Sequence, residues 1–307
     1  LVLALIQIKS GSSAARAGPN IDVATMSRHA FAHRRTAIPT EILSKVWTRM
    51  SLVFIGDIHQ NWHHIEAGLS ALPASPDAAI LLGDIECTAP LDHVAAPLLD
   101  RGVAVYWIHG NHEHDSGPEM WANLAAPERN PLTSAGALHS CVMEIGDLRV
   151  AGLGGTFLPH VWSGDAPPRL HRREQLVTDL ATNHPGLGAD QANRLTHFLT
   201  TTAIWPEDVD RLAAQKADIL VTHDAPSSHP EGSLVLDSLG RAMGAGLIVH
   251  GHHHITSHAQ ADDGLRVLSV GDAWAVGLDG AVAWRGAKRS RPLPRAVDGW
   301  VTQSVVA

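Results

Sequence analysis

Positive charge is scarce in this chain. Its 307 residues hold 23 Lys and Arg against 31 Asp and Glu, a net charge of −8. That balance excludes a general electrostatic attraction to nucleic acid or an anionic membrane. A small phosphate-bearing substrate stays compatible, because a bound cation can reverse the field locally. Cysteine is scarcer still. Cys87 and Cys141 are the only two, so there is no disulfide framework, and a reducing, cytoplasmic compartment is expected. No apolar run reaches 18 residues, which leaves no candidate membrane span. Also missing are HExxH and a Gly-rich Lys loop for phosphates, and "HEHD" holds only part of an HxHxDH pattern.

What remains is ordinary in bulk and unusual in one residue. Apolar residues make up 45% and charged residues 18%, a composition that fits one large α/β domain or two small ones. Histidine, however, occurs 21 times, and it is both the commonest metal ligand and a near-neutral acid or base. Five histidines fall in "IVHGHHHITSH", 248–258. They read either as a loose metal-sticky patch or as members of an ordered site.

The periodicity favours order. "SLVFI" (51–55), "AAILL" (78–82) and "VAVYWI" (103–108) read as buried strands, separated by amphipathic stretches around Trp62–Leu72 and 91–102. Strand, helix, strand, helix, strand implies parallel pairing with right-handed crossovers. "ALHSCVMEIGDLRVAGLGG" reads as two strands joined at Gly146-Asp147. Residues 165–215 read as a helical insertion. "ADILVTH", "AGLIVHGHHH", "LRVLSVG" and "AVAWRG" supply later strands. The main domain is expected over 50–285, after an N-terminal extension with little core over 1–49. That extension opens with an apolar run and small residues, like a secretory leader without its basic start. Residues 286–307 are basic and contain Pro, and read as a surface tail.

Polar residues gather where these strands end. The first strand runs into Asp57 and His59, the second into Asp84, the third into Asn111, His112 and Glu113. The later ones run into His223 and Asp224, then His250, His252, His253 and His254. The carboxyl ends of strands are where open α/β sheets bind ligands. Asp57 with His59, and His252 with His254, are two apart, so on extended backbone each pair faces one side while His253 points away. Carboxylate, amide and imidazole donors together suit Mn²⁺, Fe or Zn²⁺. Seven such groups exceed one tetrahedral ion and suit two ions sharing a bridging carboxylate, an arrangement common in phosphoryl chemistry.

In order and spacing, "GDIH", "GD", "GNHE", "THD" and "GHHH" resemble the calcineurin-like metallophosphoesterase superfamily. The resemblance implies two packed mixed β-sheets flanked by helices, a four-layer α/β sandwich. It implies that Asp57, His59 and His254 hold one divalent ion, that Asn111, His223 and His252 hold the other, and that Asp84 bridges them. The ions would be Mn²⁺, Fe²⁺/Fe³⁺ or Zn²⁺. His112 would contact the phosphate and protonate the leaving oxygen, while water activated between the ions attacks phosphorus. The implied activity is hydrolysis of P–O ester bonds in a small substrate, leaning to phosphodiesters or a broad range. The alternatives are a phosphomonoesterase acting on a nucleotide or phosphoprotein, and a metal-binding protein without catalysis.

The chain departs from the protein serine/threonine phosphatase branch of that superfamily. There the second motif continues as GDxVDRG, whereas here it reads "GDIECTAP". Cys87 takes the acidic position, no Arg follows, and Glu86 is offset by one, so the orienting partner of His112 is open. His63 and His64 read as exposed helix surface, His114 as a residue lining the pocket or packed beside it, and His160 with Trp162 as a packed loop. Trp205 and Trp274 are expected in the core, and Cys87 as a small buried residue near the site.

Overall fold

The computed structural model describes residues 50–286 and 288–305; the expected extension over 1–49 lies outside them. Apolar runs of four residues, too short for helices, form the first strands. These are β1 (Leu52–Ile55), β2 (Ala78–Leu81) and β3 (Ala104–Trp107), paired in parallel. Their twofold alternation divides the apolar residues between two faces. Leu52 and Phe54 turn toward the second sheet, while Val53 and Ile55 turn toward helices. Those helices include α1 (Trp62–Ala71), α2 (Leu91–Val94) and α3 (Ala96–Leu99), which bring in Ile65, Leu69, Leu91 and Leu98. The single helix expected after residue 91 is split at Ala95. Pro97, in the first turn of α3, lacks the N–H that a continuous helix would need there.

The later elements build a second sheet and complete the first. They comprise α4 (Pro118–Ala125), the hairpin strands β4 (Cys141–Ile145) and β5 (Leu148–Leu153), α5 (Gln175–Asn183), α6 (Ala189–Thr202) and α7 (Pro206–Ala213). Next come β6 (Ile219–Thr222), α8 (Leu234–Met243), β7 (Leu247–His250), β8 (Ser257–Ala261) and β9 (Arg266–Ser269). Last are β10 (Ala275–Gly277), β11 (Val282–Trp284) and β12 (Trp300–Ser304). One sheet has the order β11-β10-β1-β2-β3 and the other β12-β8-β9-β7-β6-β5-β4. Both are mixed: the first is antiparallel only on its β10–β11 side and parallel through to β3, and the second has a parallel centre with antiparallel edges.

Between the sheets lies one apolar layer, in which Phe54, Ile80 and Leu82 meet Val150, Val221, Val249 and Leu268. Beyond the second sheet, α8 is capped at its start by Ser233 and closed at Gly244 in the left-handed conformation. It rests Gly240 on Ile248. The result is the expected α/β sandwich of two packed sheets with flanking helices. Trp205 and Trp274 are fully buried, as expected.

Three strands escaped the sequence reading. β8 buries only Ser257, Ala259 and Ala261 and carries no bulky apolar side chain. β10 is three residues long. β12 lies inside the segment read as a surface tail and pairs antiparallel with β8.

Within residues 165–215 a partly buried ion pair joins Arg173 to α7, and Asp208 also accepts from Ser140, just before β4. Arg173 lies 2.5 Å from Asp208 and 2.7 Å from Glu207, with its guanidinium over the Trp205 ring. Burial opposes ionisation of Asp208, yet hydrogen bonds from His139 and Arg173 hold its carboxyl below the usual carboxylate range. A carboxyl depressed in the folded state contributes stability above its unfolded value, and that contribution is lost as pH falls. Asp208→Asn leaves Arg173 without its buried partner. It should cost about 3–5 kcal/mol in urea unfolding at neutral pH, with a smaller difference from the parent in acid. A loss under about 1 kcal/mol would show that the pair behaves as a surface one.

Candidate metal centre

Each strand delivers its polar residues at its carboxyl end, and all seven expected ligands converge on the same edge of the sandwich. The backbone there is not extended. Asp57, His59, Asp84, His252 and His254 all have positive φ, from 23° to 68°. The paired residues therefore meet through left-handed turns and not through strand alternation, which corrects the sequence reading. Asp and His tolerate this region better than most residues, but each such position still costs about 1–3 kcal/mol. Such strain persists only where surrounding contacts impose it.

Those contacts are specific. Asp84 Oδ1 accepts the N–H groups of Asn111 (2.8 Å) and His112 (2.9 Å), and Asp57 Oδ1 accepts that of His252 (2.8 Å). Glu113 is a brace. Its carboxylate takes the N–H groups of Ile85, Glu86 and Gly110, tying the loop after β2 to the loop after β3. Burial, reinforced by Asp84, raises the Glu113 carboxyl to about 7. Gly110 is needed for close approach, since a Cβ there would sit 2.1 Å from Asp84 Oδ1.

Two donor clusters form. One holds Asp57, His59, Asp84 and His254, the other Asp84, His223 and His252. Within each, one donor atom per residue lies within 4.8 Å of the others, and Asp84 belongs to both. Asn111 adjoins the second cluster, its Oδ1 being 3.1 Å from His223 Nε2.

Tautomers are set from behind. His223 Nδ1 donates to the Leu82 carbonyl at 2.7 Å, which turns Nε2 toward Asp84 Oδ2 at 3.3 Å. His59 Nδ1 donates to Glu86 Oε1 at 2.5 Å, and its Nε2 lies 3.0 Å from His254 Nε2. Outer partners of this kind orient imidazole lone pairs toward a metal.

Charge balance points the same way. Burial raises the Asp57 carboxyl to about 7, and neighbouring Asp84 adds to the rise. Burial opposes charge on His223 too, yet Asp84 and Asp57 lift it to about 10. Asp84 stays below the usual carboxylate range against its own burial, because His223 faces it. The carboxylates thus collect a proton on His223 in place of a cation. Asp57 Oδ2 is buried and has no hydrogen-bond partner among the described residues. Hard oxygens, imidazole lone pairs and an orphaned carboxylate oxygen fit divalent cations, which displace such protons on binding.

The general-acid candidate lies beside these clusters. The His112 ring centroid is 5.4 Å from that of His59, and its Nδ1 donates to Asp115 Oδ2 at 2.6 Å. Asp115 therefore occupies the role the sequence left open, while Glu86 serves His59. Cys87 is fully buried, and burial pushes its thiol up, away from reactivity. Asp272, also missed, is 1% exposed with Oδ2 3.8 Å from His254 Nδ1 and 2.6 Å from Lys288 Nζ. The signal was available: Asp272 follows "LSVG" just as Asp57 follows "LVFIG".

Other histidines stay outside both clusters. His250 is buried, donates to the Gly251 carbonyl and is lowered by burial to about 3. His63 is exposed on α1, with His64 beside it. His114 is packed, stacking on Trp121 and bonding Thr201 of α6 at 2.7 Å. Trp162 is buried against Phe157, in the loop that carries His160.

Comparison with known proteins shows the family. Residues 50–256 match the calcineurin-like phosphoesterase family. The chain belongs to that family. A Haemophilus influenzae protein described as uncharacterized is 31% identical over 208 residues, 66% of this chain and 83% of its own. Among solved structures, a Thermus thermophilus protein is 13% identical, with a TM-score of 0.47 over 76% of this chain and 96% of its own. A Danio rerio dimetal phosphatase is 12% identical, with a TM-score of 0.44 over 73% and 88%. Membership makes this chain a metal-dependent phosphoesterase, in a family that uses two divalent ions. Among the described residues, no helix is long and apolar enough to cross a membrane.

If the phosphoesterase holds its cations through Asp84, Gly110→Ala should push that carboxylate aside. Affinity for Mn²⁺ or Zn²⁺ should fall about 10–100-fold, as read by calorimetric titration of chelator-stripped protein. Unchanged affinity would contradict the packing described.

Proposed function

We propose that this phosphoesterase cleaves small phosphodiesters, or a broad set of phosphoesters, at a centre of two ions. Asp57, His59 and His254 hold one ion, Asn111, His223 and His252 hold the other, and Asp84 bridges. The carrying observation is that the two donor clusters share one residue, Asp84, as a pair of cations close together requires. The lean to diesters and away from protein phosphatases rests on "GDIECTAP", which lacks the Arg of that branch. A cytoplasmic setting accords with two free cysteines.

Divalent ions bound here would neutralise phosphoryl oxygens and make water acidic enough to attack at neutral pH. The protein's part is positioning and proton control. Glu113 and the left-handed turns fix the donors before substrate arrives. Glu86 and the Leu82 carbonyl hold His59 and His223 with their Nε2 atoms inward. Asp115 holds His112 through Nδ1, so that Nε2 can carry a proton to the departing oxygen. The insertion reaches this region through the His114–Thr201 bond, and we assign it a part in substrate choice.

The test is hydrolysis of bis(p-nitrophenyl) phosphate beside p-nitrophenyl phosphate by stripped protein titrated with Mn²⁺, Fe²⁺, Zn²⁺ or Mg²⁺. Turnover should require the added ion, favour the diester, and fall at least about 100-fold in Asp84→Asn. A higher rate on the monoester would select the phosphomonoesterase reading instead. No turnover by folded protein with any ion would reject catalysis on these substrates.

Asp115→Asn provides a separate check. Metal content should stay normal while kcat falls about 10–100-fold, more for an alkyl ester than for the p-nitrophenyl ester, whose leaving group needs little protonation. An equal loss on both esters would remove Asp115 from the proton-donating role.

A further inference from the structure

His59, His223 and His254 each turn Nε2 toward the donor clusters. The first two are steadied from behind, with Nδ1 donating to Glu86 and to the Leu82 carbonyl. Nδ1 of His254 has no hydrogen bond of this kind among the described residues. It faces Asp272, whose Oδ2 is 3.8 Å away.

Asp272 is a costly residue to keep in that place. It is 1% exposed, and neither carboxylate oxygen has a hydrogen-bond partner among the described residues. A buried carboxylate is unfavourable unless it is paired. The cation beside it, Lys288 Nζ at 2.6 Å, belongs to a side chain that is 65% exposed. The backbone nevertheless holds Asp272 firmly. Gly56 bridges to it, and the Ala273 N–H donates to the carbonyls of Gly56 (2.9 Å) and Asp57 (3.1 Å). The Gly271 N–H donates to Thr256 Oγ1 at 3.0 Å, and a Cβ on Gly286 would meet the Asp272 carbonyl at 1.9 Å. Ala273 takes a left-handed φ of 54°, which is strained for a residue with a Cβ. Asp272 is thereby fixed between the loop that carries Asp57 and the loop that carries His254.

We propose that Asp272 is a positioning residue for the metal centre. It accepts the Nδ1 proton of His254 in a hydrogen bond, which presents Nε2 to the ion held with Asp57 and His59. This role presupposes the two-ion reading of that cluster. A carboxylate behind a ligating imidazole fixes its tautomer and ring orientation and makes it a better donor to the metal. The 3.8 Å gap exceeds an N–H···O bond of about 2.7–3.2 Å. With the Asp272 backbone clamped, the partly exposed His254 ring closes that gap as Nε2 engages the ion. Lys288 balances the carboxylate from the solvent side. Packing alone does not explain Asp272, because a neutral side chain would fill the same space without burying a charge.

Full-length, chelator-stripped protein is titrated with Mn²⁺ by calorimetry, and thermal unfolding of the metal-free protein is followed by circular dichroism. The variants are Asp272→Asn, Asp272→Asn combined with Lys288→Met, and His254→Ala. Asn keeps the shape of Asp272, and its uncharged oxygen is a weaker acceptor. In Asp272→Asn one ion should bind about 10–100-fold more weakly and the other as in the parent. The metal-free midpoint should not fall, because a buried charge has been removed. The double variant should bind as weakly as Asp272→Asn, since orientation and not net charge is lost. Parent-like affinity in the double variant would trace the loss to the unopposed Lys288 charge and overturn the positioning role. Equal weakening of both ions with a lower metal-free midpoint, the mark of a purely structural residue, would also overturn it. Parent-like affinity in Asp272→Asn, with an ion lost in His254→Ala, would overturn it while leaving the two-ion reading intact. Parent-like binding of both ions in His254→Ala would overturn the ligand assignment, and the positioning role with it.

Discussion

Asp57 and Asp84 are buried side by side with only imidazoles opposite them. Removing ionised carboxylates from water is costly unless charge of the opposite sign goes with them, and no Lys or Arg of the described residues is paired with either one. The protein alone meets this demand incompletely, by protonating His223 and raising Asp57. In the proposed two-ion centre, divalent cations would meet it in full. Much around the centre can be understood as holding that pair of carboxylates in position until the cations arrive. The Glu113 brace, the glycine contact at Gly110 and the left-handed turns all bear on the same few atoms.

The strain at those turns is tolerable because the sandwich beneath is regular. Short parallel strands divide their side chains between two apolar layers, and their carboxyl ends then lie at one edge. Asp57, Asp84, His223 and His252 arrive there from four strands, each registered to its neighbours by backbone pairing. Displacing one loop therefore disturbs donors supplied by another. This is why a glycine with no donor atom of its own, Gly110, is expected to control metal affinity.

Much of this was legible in the sequence. β1, β2, β3, β6 and β7 stood out because each is a short apolar run ending in Gly or His; their ends pointed to one polar edge, and the family resemblance picked the seven expected donors out of it. What stayed hidden depends on nonlocal contacts or on weak patterns. β8 reads Ser-His-Ala-Gln-Ala with no bulky apolar residue, so it carried little hydrophobic signal. Left-handed turns at non-glycine residues have no marker in composition, and extended backbone was the natural assumption for Asp57 and His59. Motif comparison left the partner of His112 open, with Glu86 offset by one residue, and in the structure Glu86 accepts from His59 instead. Only the folded loops show that Asp115, three residues on, reaches His112.

The account depends most on two cations sharing Asp84, and anomalous diffraction from crystals soaked in Mn²⁺ tests this directly. Two peaks about 3.5–4 Å apart are predicted, both bonded to Asp84. One should also be bonded to Asp57, His59 and His254, and the other to Asn111, His223 and His252. A single peak, or a pair without Asp84 between them, would contradict the account.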